Sequence, residues 1–244
     1  MNYDLLLLCH PKDYTKLYFC LRSCLDYLEP KPSNFYVVSP YRIAAQTDLE
    51  IHSILDQEAL PGLNPEEICY RPNWVFKQLI NLCQDITQND IYLTVDCDLI
   101  FNRQIELFDD SGRPKFFISD REQRHPPYLA FMQKAFNLDW EFDRTFINDF
   151  MMMDKSVCRE IIPDARLFFD KFCKDGMSQE CHLAEYEVYG NYVTKHHPER
   201  YSVQDSKTQL NGKNGARWEA HEIESVIMQN KDQDLDLFTI HTWI

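Results

Sequence analysis

Ile91-Tyr92-Leu93-Thr94-Val95-Asp96-Cys97-Asp98-Leu99-Ile100-Phe101, near the middle of the chain, is the stretch on which the fold turns. Five β-prone or apolar residues run into two aspartates one residue apart, and three more apolar residues follow. Such a run reads as a buried strand. Alternate side chains of a strand share a face, so Asp96 and Asp98 point the same way. Two carboxylates held together in apolar surroundings repel each other and are costly to desolvate. A cation between them relieves both penalties. Hard divalent ions such as Mg²⁺ and Mn²⁺ prefer oxygen ligands of this kind, usually shared with substrate phosphates. The plainer alternative is a strand-end turn with two solvated carboxylates.

The residues before this strand alternate between strand and helix. Residues 3–9 are a short apolar run, hence a buried strand. His10-Pro11-Lys12-Asp13 is a turn, with Asp13 as N-cap of a helix on which Leu17, Cys20, Leu21, Cys24, Leu25 and Leu28 recur at helical spacing. Pro30 and Pro32 stop that helix, Phe35–Val38 is a second strand, and residues 48–55 read as a short helix. A strongly amphipathic helix spans about 73–86. This alternation implies a parallel, doubly wound sheet with right-handed crossovers, whose ligand cleft lies at the carboxyl ends of the strands. After the Asp96/Asp98 strand the pattern is less regular. Strands are expected at 115–119, 145–153 and 235–241, and helices near 128–137, 163–174, 179–195 and 217–230. Residues 205–215, polar and glycine-bearing, read as a loop.

Composition narrows the function. The 244 residues are 44% hydrophobic and 14% aromatic, enough for one sizeable core. Lys and Arg total 25 against 39 Asp and Glu, a formal charge of −14 that repels phosphate backbones and anionic lipids, so nucleic acid is not an expected partner. Nine cysteines, an odd number without a CxxC pair, are the usage of a reduced cytoplasmic protein and not of a disulfide framework or zinc site. Leu5–Leu8 is too short for a signal peptide and follows Asp4 instead of a basic region. The string ending in Cys9 has the look of a lipoprotein cleavage site but lacks the small residue before the cysteine, so a first strand is the better reading. No stretch approaches the roughly 20 apolar residues of a membrane span.

Several segments, in this order, resemble nucleotide-sugar glycosyltransferases of the GT-A fold, and in particular the small DxD transferase domains of bacteria and large algal DNA viruses. They are Leu5–Asp13; the helix Arg71-Pro72-Asn73-Trp74-Val75-Phe76-Lys77-Gln78-Leu79; Asp96-Cys97-Asp98; Thr145–Met153; Ala184-Glu185-Tyr186-Glu187-Val188-Tyr189-Gly190-Asn191-Tyr192, where Ala184 replaces a serine; and Phe238-Thr239-Ile240-His241-Thr242-Trp243. The resemblance implies a single α/β domain, Rossmann-like, with a mostly parallel central sheet and flanking helices. Residues 1–101 would bind the nucleotide and 102–244 would shape the donor-sugar and acceptor pockets. It also implies a metal, Mn²⁺ or Mg²⁺, on Asp96, Asp98 and His241, and a UDP-sugar contacted by Cys9, His10, Asp13, Arg71, Trp74, Lys77, Gln78 and Asp96. No residue by itself selects UDP over GDP.

Taken singly, each residue has a plainer reading. His241 lies in an apolar strand, where a lone histidine is commonly core. Lys77 on the polar side of its helix could simply be solvated. Asp149 interrupts an apolar run, so it needs a partner, either an arginine such as Arg144 or sugar hydroxyls. His182, Glu185, Tyr186 and Tyr189 share one face of the helix expected at 179–195, at i, i+3, i+4 and i+7, and carboxylates beside aromatic rings suit sugars. The expected reaction moves a hexose or deoxyhexose to a carbohydrate acceptor hydroxyl with inversion, with Glu185 as first and Asp149 as second candidate base. Two rivals stand beside it. A haloacid-dehalogenase-type phosphatase also uses a strand-borne DxD, but near the N-terminus and with Thr or Val where Ile100 stands. A non-catalytic carbohydrate-binding module could keep the same fold.

Overall fold

A computed structural model describes residues 2–43, 49–68, 70–119, 125–174, 181–214 and 217–243. The chain opens with β1 (Asp4–Leu8), α1 (Tyr14–Tyr27) and the short β2 (Leu28–Glu29), followed by β3 (Phe35–Ser39), β4 (Ile51–Leu55) and a single turn, α2 (Asp56–Ala59). Next come α3 (Pro72–Cys83), β5 (Ile91–Asp96), β6 (Leu99–Phe101), β7 (Ile105–Glu106), β8 (Lys115–Ser119) and α4 (Pro126–Phe136). The last part holds β9 (Phe150–Asp154), α5 (Lys155–Ile161), α6 (Ala165–Phe172), α7 (Glu185–His196), β10 (Ser202–Ser206), β11 (Thr208–Asn214), α8 (Ala220–Asn230) and β12 (Leu237–Trp243).

Five strands form the central sheet in the order β4-β3-β1-β5-β9. The first four are parallel, and β9 closes the edge antiparallel to β5, with Val95 opposite Phe150. Both faces are covered, which is why Leu5–Leu8 of β1 are apolar in succession instead of alternating. Leu6 and Leu8 pack with Val75, Phe76 and Leu79 of α3. Leu5 and Leu7 pack on the other side with Leu17, Cys20 and Leu21 of α1. Asp4, fully buried at the start of β1, accepts hydrogen bonds from the side-chain amide of Asn34 and from the backbone N–H and side-chain amide of Asn89, each at 2.7 Å.

A second, three-stranded sheet, β11-β12-β6, grows from the far side of the Asp96/Asp98 turn. There β12 runs antiparallel to β6, with Thr239 opposite Leu99, and Ile240 N–H donates to the Asp98 carbonyl at 2.8 Å. Ile100, Trp218, Ile223, Phe238 and Ile240 form its own small core.

The structure corrects several sequence expectations. Residues 51–55 are an edge strand and not a helix. Ile51, Ile54 and Leu55 have the i, i+3, i+4 spacing of a helix, but pairing with β3 decides the conformation. Asp48 lies outside the described residues. The polar stretch after 205 is not a loop; β10 pairs with β8 and β11 with β12, and its polarity reflects two strands at sheet edges. Gly215 is likewise outside the described residues. The strand expected from 145 begins only at Phe150, because Asp149 has a left-handed backbone, φ 61°, that breaks the extended run. The central sheet is mostly parallel, as expected, with β9 as its one antiparallel strand. Residues 179–180 of the helix expected at 179–195 are not described, and α7 starts at Glu185, so His182 precedes it and does not share its face.

α7 runs through the interior, with most of its residues buried. A Cβ at Gly190 would lie 2.4–2.6 Å from atoms of the buried Phe146 ring, so the glycine in the Glu-Tyr-Glu segment permits close packing. Gly190→Ala should cost about 1–3 kcal/mol through overpacking. A melting temperature lower by several degrees is the expected reading, and an unchanged one would show that Phe146 can move aside.

Candidate active site

A cleft of about 520 Å³ opens at the carboxyl ends of β1, β3 and β5. Its walls include Cys9, His10 and Asp13 after β1, Pro40 after β3, Asp96 and Asp98 at the end of β5, and Arg71, Trp74 and Lys77 from the start of α3. Seven of the eight residues that the resemblance assigns to the nucleotide thus line one cavity. Gln78 does not. It is buried, and its Oε1 accepts the Glu185 N–H at 3.2 Å. Ala184, the N-cap residue of α7, offers no side-chain cap, so Gln78 satisfies that helix end from a neighbouring helix.

The two aspartates have different partners. Asp96 pairs with Lys77, Nζ to Oδ2 at 2.6 Å, and accepts the Tyr186 hydroxyl at 3.2 Å. Burial pulls the Lys77 ammonium down, but Asp96 and then Glu185 outweigh it and leave its pKa raised. Asp98 faces His241, Nδ1 to Oδ2 at 3.5 Å, and Lys16 at 3.9 Å. Burial, opposed by His241 and reinforced by Asp96, pushes the Asp98 carboxyl up. The β6–β12 pairing delivers His241 across the chain to this point.

Lys16 was not anticipated. Its side chain is only 1% exposed, and its Nζ lies 2.7 Å from Asp13 Oδ1. Asp13 does stand at the N-cap position of α1, yet its carboxylate makes no cap hydrogen bond and holds Lys16 instead. The sequence carried a signal, because Lys16, Cys20 and Cys24 stand at i, i+4 and i+8, on the inward side of α1.

Arg71, in a left-handed conformation, lays its guanidinium over the Trp74 ring at 4.5 Å, and Trp74 stacks with Tyr128 at 6.0 Å. Behind Lys77 lies a buried polar chain. Thr94 Oγ1 donates to Asn81 Oδ1 at 2.7 Å, and Asn81 Nδ2 donates to Glu185 Oε1 at 2.8 Å. Burial raises the Glu185 carboxyl to about 7, with Lys77 opposing and Asp96 reinforcing. Glu185 is 3% exposed and lies behind the cleft wall. Asp149 sits beside the pair of aspartates through the backbone: its carbonyl accepts the Asp96 N–H at 2.8 Å. Arg144, one of the partners considered for Asp149, forms an ion pair with Asp205. Glu187 accepts the Thr145 hydroxyl and, at 3.1 Å, the Asn191 amide. Tyr189 is fully buried, with its hydroxyl bonded to the Asp154 N–H at 2.7 Å. The rings of Tyr186 and Tyr189 therefore belong to the core, not to an open sugar-stacking face.

Two carboxylates and an imidazole are the donor types that suit Mn²⁺ or Mg²⁺. Among the described residues no three His, Cys, Asp or Glu side chains are gathered tightly enough to cage an ion as they stand. Asp98 and His241 already converge, and burial pushes the Asp98 carboxyl up, a penalty that a bound cation would relieve. The donor set fits a divalent ion once Asp96 exchanges Lys77 for it.

The sequence matches no family model and no curated protein. The structure is similar to that of mouse xyloside xylosyltransferase 1 in its apo form, over 98% of this chain and 97% of the other, with a TM-score of 0.50 and 12% identity. It is also similar to an active-site mutant of LgtC, over 97% of this chain and 86% of the other, with a TM-score of 0.51 and 13% identity. The chain accordingly has the GT-A fold in a single α/β domain. Among the described residues no helix is long and apolar enough to cross a membrane.

Proposed function

We propose that the protein is a metal-dependent glycosyltransferase that moves a hexose or deoxyhexose from a UDP-sugar to a carbohydrate hydroxyl, with inversion. The observation that carries this reading is that Asp96, Asp98, Lys77 and Arg71 line one cleft of a GT-A fold, with His241 held beside Asp98. Residues 1–101 serve as the nucleotide half, and 102–244 as the donor-sugar and acceptor half. Asp96, Asp98 and His241 would hold Mn²⁺ or Mg²⁺, which when bound supplies charge neutralisation for a departing diphosphate.

The chain's own residues do the rest. In an acidic protein, Lys77 and Arg71 supply local positive charge where phosphates must lie. Lys77 is already aligned by Asp96, so it needs a short movement to donate to a phosphate oxygen. Cys9, His10 and Asp13 form the nucleoside side of the cleft, and Trp74 the wall beside Arg71. Glu185 is the first candidate to take the acceptor proton, provided that movement of Lys77 opens a path to it from the cleft, because a carboxyl near 7 is half ionised at neutral pH and is a stronger base than an ordinary glutamate. Asp149 is the second candidate.

A thermal-shift panel of nucleotide sugars, with and without Mn²⁺, tests the reading. A UDP-sugar should raise the melting temperature only with the metal, by mass action on the folded state. His241→Ala and His241→Phe should both lose that shift. If His241→Phe keeps it, His241 is only core. Phosphate release from generic phosphoesters would favour a phosphatase, and metal-independent sugar binding a carbohydrate-binding module.

A further inference from the structure

Cys173 and Cys181 are fully buried thiols whose sulfur atoms lie 3.6 Å apart. Cys173 is the C-cap residue of α6, and Cys181 stands just before α7. A disulfide bond is about 2.0 Å long, so a small rotation of the two side chains would bring the sulfurs to bonding distance. The bond would tie the end of α6 to the entry of the helix that carries Glu185 and Tyr186.

The electrostatic setting separates this pair from the other cysteines. Burial pushes up the thiols of Cys20, Cys83 and Cys158, and a hydrogen bond with Cys9, then burial, does the same to Cys97. Cys181 moves the other way. The hydrogen bond from Cys173 outweighs burial there, the Leu183 N–H and the Lys134 charge add to it, and the pKa is lowered. The thiolate is the nucleophilic form of cysteine, and a stabilised thiolate beside a second thiol is the arrangement of redox-sensing pairs. We infer that Cys181 and Cys173 form a reversible disulfide when a small hydroperoxide oxidises them, with Cys181 reacting first and Cys173 resolving the product. Such transient bridges are the kind that a reducing compartment allows.

The chemistry balances in two steps. The Cys181 thiolate attacks one peroxide oxygen, the O–O bond breaks, and the other oxygen leaves as an alcohol or water once it takes a proton. Cys181 is then a sulfenic acid. The Cys173 sulfur attacks the Cys181 sulfur, the S–S bond forms, and the sulfenic oxygen leaves as water with the Cys173 proton. Two thiols are oxidised and one hydroperoxide is reduced. Both sulfurs are buried, so a water-sized oxidant reaches them more readily than a bulky disulfide does. None of this depends on the nucleotide-sugar cleft, and either reading can fail without the other.

The full-length reduced protein is treated with hydrogen peroxide at about pH 7.5, its remaining thiols are alkylated, and the bridges are mapped by non-reducing peptide mass spectrometry. The Cys173–Cys181 bridge should form first, about 10-fold or more faster than any other, because its thiolate fraction is larger. Dithiothreitol should reverse it. The oxidised protein should melt about 5 °C higher than the reduced one, as expected for a closed loop in a chain of this size. Cys173→Ser should stop at the Cys181 sulfenic acid, which dimedone captures, and Cys181→Ser should leave Cys173 a thiol. The wild-type map decides the matter even if either variant folds poorly. A first bridge at another pair, such as Cys9 with Cys97, or no bridge at all, overturns the assignment. Oxidation of Cys173 at the wild-type rate in Cys181→Ser overturns the order of reaction. Bridging by oxidised glutathione as fast as by hydrogen peroxide overturns the choice of a hydroperoxide.

Discussion

Asp98→Asn should lower Mn²⁺-dependent UDP affinity by about 100-fold or more, since losing even an outer-shell partner of a metal typically costs 10- to 100-fold. The fold should survive. Burial already pushes the Asp98 carboxyl toward its neutral form, so an amide of the same shape removes a desolvation penalty. Lys16 keeps Asp13 at 2.7 Å as its counter-ion, and the His241 side chain, 32% exposed, loses little. The melting temperature without metal should therefore be unchanged or higher. Asp96→Asn should lose binding similarly, with Lys77, 28% exposed, turning to solvent. Unchanged Mn²⁺-dependent binding in both variants would sink the metal assignment.

The second large effect is expected from Glu185→Gln. A general base acts in the chemical step and is not needed to hold the donor. UDP-sugar affinity should stay near normal while the transfer rate falls about 10²- to 10⁴-fold. In the wild-type protein the rate should rise with pH through about 7 as Glu185 ionises. Stability should move the other way. A carboxyl raised from 4.5 to about 7 in the folded state keeps its proton after the unfolded chain has lost it. Stability is thus full below about 4.5 and declines as pH rises toward 7, by on the order of 3 kcal/mol. Glu185→Gln should flatten that decline. Asp149→Asn is the control: if it alone loses transfer, Asp149 is the base. If both variants transfer at the parental rate, the reaction needs no enzymic base and the inverting mechanism is wrong.

The legible parts of this protein are those in which neighbours along the chain carry the information. The apolar runs of β1, β3 and β5 and the helical spacing in α1 and α3 state their own burial. The two aspartates at the end of β5 and the cations on α3 follow from strand alternation and chain order, and together they located the cleft. Tertiary structure decided the rest. The left-handed Asp149 that delays the start of β9, the edge pairing that makes 51–55 and 202–214 strands, and the close approach of Phe146 to Gly190 arise from contacts between distant segments. His241 reaches Asp98 only because β12 pairs with β6, and Glu185 is buried only because α7 enters behind Lys77. Local periodicity reports which side of an element is inward. What lies on that side, whether an imidazole for Asp98 or a tyrosine hydroxyl for Asp96, depends on partners tens or hundreds of residues away, and no local pattern encodes them.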